Sequence, residues 1–198
     1  MQQLLPVAAL LTLAACGQGT DSAGTGDEAV PAQEDRVYEG SIIVFQGTER
    51  DSAELCVMVM DSYPPQCEGL PVTGWDWGAV EHEEASGVRW GSYIVTGTFD
   101  GKAFTVTEDP ETPEATEEIG GTDDVPDPAE GLSPEEIEAA ATELQEQFPQ
   151  LVFGHLPDDG HGVAIIDTLL VSAELETYAA EHFPEDAIVF KPVLALVE

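Results

Sequence analysis

Positive charge is nearly missing from this chain. Its 198 residues hold five Lys and Arg against 40 Asp and Glu, a formal net charge of −35. The five cations, Arg36, Arg50, Arg89, Lys102 and Lys191, are scattered along the sequence. Nothing in such a chain can neutralise a row of phosphates, which excludes nucleic acid as a partner. The same field repels an anionic lipid surface, so the folded body needs some other hold on a membrane. It also implies solubility, repulsion between copies and therefore a monomer, and better tolerance of salt than of dilute buffer.

Long apolar runs and catalytic signatures are missing too. No apolar stretch reaches the ~20 residues that a bilayer-spanning helix needs. No G-x-S-x-G elbow, phosphate-binding loop or dinucleotide fingerprint occurs. His82-Glu83-Glu84-Ala85-Ser86 begins like a zinc-protease helix but has Ser86 where the second His must stand. These absences argue against an enzyme and against a bound cofactor. Paired carboxylates cannot be singled out where nearly every surface position is acidic.

What apolar character there is begins at the start. The run from Leu4 to Ala15 has the length of a signal-peptide core, and it ends in Leu13-Ala14-Ala15-Cys16. These four residues resemble the lipobox of bacterial lipoproteins, although MQQ before the run carries no Lys or Arg. The resemblance implies that residues 1–15 are cleaved off, that the Cys16 sulfur carries a diacylglycerol thioether, and that its new amine carries an acyl chain such as palmitate. Several acyl chains on one residue anchor stably where one binds only reversibly. Residues 16–36, with GQGTDSAGTGDEAVPAQEDR after the cysteine, have almost no large apolar side chain, so they should form a flexible tether. The expected location is the cell membrane, lipid-anchored on the extracytoplasmic face.

Cysteine is scarce, and its scarcity is informative. With Cys16 assigned to the lipid, Cys56 and Cys67 remain as an even pair in an oxidising compartment, where a disulfide is expected.

Residues 37–107 are rich in β-formers. VYEGSIIVFQ and ELCVMVM are runs bounded by turn residues. SYIVTGTFDGKAFTVT is two strands around Asp100-Gly101, a dipeptide that tolerates positive φ in a tight turn. Between them lies a long connection carrying Trp75, Trp77 and Trp90. An OB-like open barrel of five or six strands fits, stapled by the disulfide. Residues 108–131 hold ten acids, four prolines and no base, the mark of an extended linker. Residues 132–198 open with Ser133-Pro134-Glu135-Glu136, a capping box with Pro at the first helical position. Ile137, Ala140, Ala141, Leu144 and Phe148 then mark one helix face. LVFGHL and GVAIIDTLLV predict strands around PDDG, and Ser172 starts a second helix with Leu175, Tyr178, Ala179 and Phe183 inward. AIVFKPVLALV predicts a last strand. Strand, helix and strand in succession imply parallel strands, with two helices on one sheet face. The expected class is α+β: a small β-rich, OB-like open barrel followed by a small α/β sandwich.

Two resemblances attach to quoted motifs. The order LC…SYPPQC…GWDW…SYIVTGTFDG, carried by Cys56, Ser62 to Cys67, Gly74 to Trp77 and Tyr93 to Gly101, is similar to a group of uncharacterised actinobacterial lipoproteins. It implies a cell-envelope protein and brings no activity with it. The seven residues DSYPPQC, Asp61 to Cys67, resemble the inhibitory loop of Bowman–Birk serine-protease inhibitors. That resemblance implies a scissile bond between Asp61 and Ser62, stiffened by Pro64 and Pro65. Met60 stands where that family has Thr, and Cys56 lies too far back, so a tight disulfide corner is the preferred reading.

The remaining candidates are binding residues. Tyr63, Trp75 and Trp77 could form an aromatic platform for a glycan, or could be core. His155, Asp158, Asp159 and His161 surround one turn at a spacing that could close on a divalent ion, though an acidic hairpin tip explains them as well and no metal is expected. The function expected is that of a non-enzymatic binding or scaffolding module of the cell envelope, with an envelope protein or glycan as partner. The alternatives are a surface protease inhibitor presenting the Cys56–Cys67 loop, and a glycan-binding module using Trp75 and Trp77.

Overall fold

The computed structural model describes residues 36–113, 128, 131–156 and 160–197. Cys16, the expected signal peptide and nearly all of the expected tether lie outside them, as do Asp158 and Asp159. Among the described residues no helix is long and apolar enough to cross a membrane.

The chain is α+β. Six strands come first: β1 (Val37–Gln46), β2 (Glu54–Cys56), β3 (Leu70–Thr73), β4 (Glu83–Ala85), β5 (Val88–Phe99) and β6 (Phe104–Val106). Sheet neighbours run β1-β2-β3-β6-β5, and β5 then pairs back onto β1 along the whole of β1, from Val37 opposite Thr98 to Gln46 opposite Arg89. The ring therefore closes as a five-stranded barrel, where the sequence predicted an open one. All neighbours are antiparallel except β3 and β6, which run parallel.

Alternation drives the closure. Tyr38, Ile42 and Val44 of β1 and Tyr93, Val95 and Phe99 of β5 recur at even spacing and share one cluster inside the barrel, as the period of two requires. At the inward position Gly97 a side chain would meet the Thr105 carbonyl and the Phe104 ring. Glycine lets β5 and β6 pack there at backbone distance. Their turn forms as the sequence predicts: Gly101 has φ 93°, and the Asp100 carboxylate accepts the amides of Lys102 and Ala103 at 2.9 and 2.8 Å. These backbone bonds, Ala103's foremost, hold the Asp100 carboxyl below its ordinary range.

The second half carries α1 (Pro134–Gln147), β7 (Val152–Leu156), β8 (Ala164–Thr168), α2 (Ala173–His182), β9 (Ile188–Pro192) and β10 (Ala195–Leu196). β7 and β8 are antiparallel, and β8 and β9, joined through α2, are parallel. Ile137, Ala141 and Leu144 of α1 and Leu175 of α2 enter one cluster with Val152, Ala164 and Ile166 of that sheet. The last strand is a correction to the sequence expectation. AIVFKPVLALV is not one strand: after β9 the chain bends, drives Leu194 into the barrel cluster and adds β10 to β1.

Contacts across the two halves are extensive. Leu151, Leu169, Leu170 and Leu194 join the barrel's own core cluster. Arg36, placed by the sequence at the end of the tether, is buried. It donates to the Val171 carbonyl at 3.2 Å and pairs with Glu176 at 2.5 Å, while the Tyr38 hydroxyl donates to the same carbonyl at 3.0 Å. Burial alone would lower the guanidinium's pKa, but Glu176 and Tyr38 together outweigh it and the pKa ends above its ordinary value. Farther along, Glu111, in the expected linker, still exchanges two backbone bonds with Ile94 of β5.

The start of α1 makes a pH-dependent prediction. The Ser133 hydroxyl and amide donate to the Glu136 carboxylate at 2.6 and 2.8 Å, and the Glu136 amide donates back to Ser133 Oγ at 3.4 Å. These bonds favour the charged carboxylate and hold Glu136 below its ordinary 4.5. A depressed carboxyl stabilises the fold above its unfolded pKa, and that contribution is lost as the pH falls through the lower folded value. Ser133→Ala is therefore expected to lower the melting temperature at neutral pH. Thermal melts should show the gap from the parent protein narrowing once the pH drops below 4.5.

Candidate functional site

Cys56 and Cys67 are disulfide-bonded, with Cα atoms 6.2 Å apart. The link closes the β2–β3 connection. Within it the chain folds into a small hairpin: the Met60 amide donates to the Gln66 carbonyl at 2.9 Å, and the Ser62 amide turns back to the Met60 carbonyl at 2.8 Å. The Ser62 hydroxyl donates to the Pro64 carbonyl at 3.0 Å, and the peptide bond into Pro64 is cis. ELCVMVM thus leaves the sheet after Cys56 and becomes the rising arm of this loop.

The loop leaves large apolar side chains in water. Met58, Met60 and Tyr63 are 69, 65 and 80 % exposed. All three lie within six residues of one cross-linked loop, Tyr63 lining one groove and Met58 another.

Beneath the loop runs a groove of about 470 Å³. One wall is Ser62 to Cys67, the other is Gly47 to Arg50 from the β1–β2 turn, and Phe45 and Val88 complete it. Phe45 is buried yet absent from the barrel-core cluster. It therefore faces outward from β1, and its register partner is Glu54 of β2. Register partners share a face, so Glu54 also points away from the barrel interior, while Leu55 points in. The Glu54 side chain is only 4 % exposed, and its Oε1 is ion-paired with Arg50 Nη1 at 2.9 Å. Its Oε2 is buried and has no hydrogen-bond partner among the described residues. A buried carboxylate oxygen without a donor is costly.

The three aromatic candidates do not assemble into one platform. Trp75 and Trp77 meet edge to face with ring centroids 5.4 Å apart, and Trp75 packs on Tyr93 at 4.9 Å. Trp77 belongs to the barrel core and donates its indole N–H to Gln46 at 2.6 Å. Those faces are spent on packing. Tyr63 pairs instead with Trp90, edge to face at 5.9 Å.

His155 lies on β7 and its Nε2 is 3.1 Å from Glu138 of α1. His161 follows Asp158 and Asp159, which lie outside the described residues. Among the described residues no group of three or more His, Cys, Asp or Glu side chains is placed to hold a metal ion. As for the Asp61–Ser62 bond, the Ser62 amide is committed to Met60, which curls the chain at the place where an inhibitor would present it to a protease.

Sequence reasoning missed Glu54 and the groove. A single acid inside AELCV was the available signal, since an ionised side chain is almost never fully buried without a partner. Compared with known protein families, curated proteins and solved structures, the chain matches none of them.

Proposed function

We propose that this chain is a lipid-anchored binding module of the cell envelope, held on the extracytoplasmic face through Cys16 and acting without catalysis through its disulfide loop. The observation that carries the binding role is the exposure of Met58, Met60 and Tyr63 on a loop that a covalent link holds in place. A pre-ordered loop loses little entropy when a partner seats on it. The Cys56–Cys67 bond supports an oxidising location, since cytosolic thiols are kept reduced, and Leu13-Ala14-Ala15-Cys16 supports the anchor.

We infer that the barrel is of the OB kind. Three strands in meander followed by a pair whose last member runs parallel to the third is the arrangement of that fold, although this ring closes fully. OB barrels bind ligands on the face of their second and third strands and on the loop joining the first two. The groove under the disulfide loop uses that first-to-second turn as one wall. The comparison is one of fold, and fold alone does not name a ligand.

Cell fractionation tests the anchor. The native chain is expected in the membrane fraction, with an intact mass that begins at acylated Cys16, and Cys16→Ser should release it. Native protein that retains Met1 to Ala15, or that stays in the membrane fraction after Cys16→Ser, would overturn the assignment.

A further inference from the structure

Of the three methionines in the chain, Met58 and Met60 stand two residues apart in the disulfide loop. Their side chains are 69 and 65 % exposed. Val57 and Val59 are partly buried, and Val57 packs against the barrel cluster. Burial therefore alternates along this arm, and both thioethers fall on its wet side. Among the described residues neither methionine is part of a core cluster. What fixes Met60 is its backbone, whose amide donates to the Gln66 carbonyl at 2.9 Å and whose carbonyl accepts from the Ser62 amide at 2.8 Å.

A thioether open to water is oxidised to its sulfoxide, which turns a flexible apolar side chain into a polar one. Cys56 and Cys67 are already joined to each other, so they offer no thiolate to compete for the oxidant. We propose that Met58 and Met60 form an oxidation site for small neutral hydroperoxides, and that their conversion to sulfoxides switches the exposed side of the loop from apolar to polar. Each sulfur lone pair attacks one peroxide oxygen. An S–O bond forms as the O–O bond breaks, and the sulfur gives up two electrons. The departing hydroxide takes the proton of the transferred hydroxyl and leaves as water. The class of oxidant follows from charge, because a net −35 repels anionic peroxides and leaves neutral ones unhindered. The switch rests on the loop being the binding surface and names what regulates it, whereas the oxidation stands without that reading.

The placement suits a switch better than a lesion. A sulfoxide inside a core disrupts packing, but here the added oxygen enters water and both backbone bonds of Met60 are untouched. The surface changes and the fold does not. The reaction is also reversible: a dithiol reductase removes the oxygen as water and is left as a disulfide, which restores the thioether.

The test treats the purified full chain with hydrogen peroxide, folded and in urea, and maps sulfoxides by mass spectrometry. Met58 and Met60 are expected to react in the folded protein within about threefold of their rate in urea, since access governs the reaction. A folded rate slower by about tenfold or more would mean protection, and would overturn the site. Oxidation should shift the melting temperature by no more than about 2 °C, as surface changes do. A fall of more than about 6 °C would make the thioethers part of the fold and overturn the switch. Loop polarity is read by photolabelling with an uncharged diazirine, mapped over residues 57–66. Oxidation should cut labelling there by about threefold or more. Met58→Leu/Met60→Leu should label within about twofold of the parent and ignore peroxide, while Met58→Gln/Met60→Gln should label poorly with no oxidant. A leucine variant that labels no better than the glutamine variant would overturn the switch. Unchanged labelling with both sulfoxides formed would overturn the switch and the loop as an apolar contact surface together. Absence of sulfoxides would overturn the site and leave that surface standing. Peroxymonosulfate, an anion, should react about threefold faster in high salt than in dilute buffer, with hydrogen peroxide unchanged. Equal salt responses would overturn the selection for neutral oxidants.

Discussion

Leu194→Ala is expected to destabilise the whole chain by about 2–5 kcal/mol, the range for truncating a fully buried leucine, and to do so in one cooperative transition. Leu194 is completely buried and belongs to the same cluster as Tyr38, Ile42 and Val44 of β1 and Leu169 and Leu170 that follow β8. Its amide donates to the Leu169 carbonyl at 2.8 Å, and the amide before it, on Val193, donates to Thr168 at 2.8 Å. β10 follows at once and pairs with β1. Room for this leucine comes from Gly40, where a Cβ would strike the Val193 carbonyl and the Leu194 side chain itself. The residue thus plugs the second half of the chain into the barrel wall. Urea unfolding should be followed by tryptophan fluorescence, which reports Trp75 and Trp77 at the barrel, and by far-ultraviolet circular dichroism, which reports α1 and α2. Coincident curves with a lowered midpoint are the expected result. Helix loss that leaves the tryptophan signal at its parent midpoint would show two units that unfold separately.

The elements legible in the sequence are those specified by their own residues. β1 reads from its run of β-formers between turn residues, the β5–β6 hairpin from Asp100-Gly101, and α1 and α2 from Ser133 and Ser172, whose hydroxyls do accept the amides of Glu136 and Leu175. The disulfide reads from counting cysteines. What escaped was specified by distant partners. β3 contains Pro71, which argues against a strand, yet it forms because Leu55 and Glu54 line up opposite Leu70 and Pro71. β4 is Glu-Glu-Ala, poor strand formers, held only by pairing with Arg89 and Trp90 across a turn at Ser86-Gly87. That dipeptide was a visible turn signal, and both its residues take positive φ. β10 has two residues and no local signal. Its position follows from where Leu194 is buried, a fact about the barrel rather than about the C-terminal segment. The site was hidden for the same reason. Among 40 acids the pattern gives no way to tell which one faces Phe45 behind a cross-linked loop.

Replacing Cys56 and Cys67 together by alanine is expected to cost about 3 kcal/mol. The bond closes a short loop, with a sequence separation of 11. In the chain-entropy model a loop of that size loses about 3 kcal/mol of unfolded-state freedom when linked. For a chain of this length the melting temperature should fall by about 6–12 °C. Cys56 is buried against the barrel wall, and alanine there adds no unsatisfied polar group. The consequence for the site should exceed that for the fold. β1, β5 and β6 pair without help from the disulfide loop, so the barrel remains, but the wall formed by Ser62 to Cys67 loses its covalent tie. What then holds the loop is a set of weak contacts: the Met60–Gln66 and Ser62–Met60 backbone bonds, the Ser62–Pro64 and Gln66–Ser62 side-chain bonds, each worth about 1 kcal/mol, and the Tyr63 ring against Trp90. Amide exchange should therefore rise sharply from Met58 to Gln66 while β1 and β5 stay protected. Reducing the native protein should reproduce both effects. If stability falls by less than about 1 kcal/mol and the loop amides stay protected, then the hairpin bonds alone order the loop and the cross-link is not what presents Met58, Met60 and Tyr63.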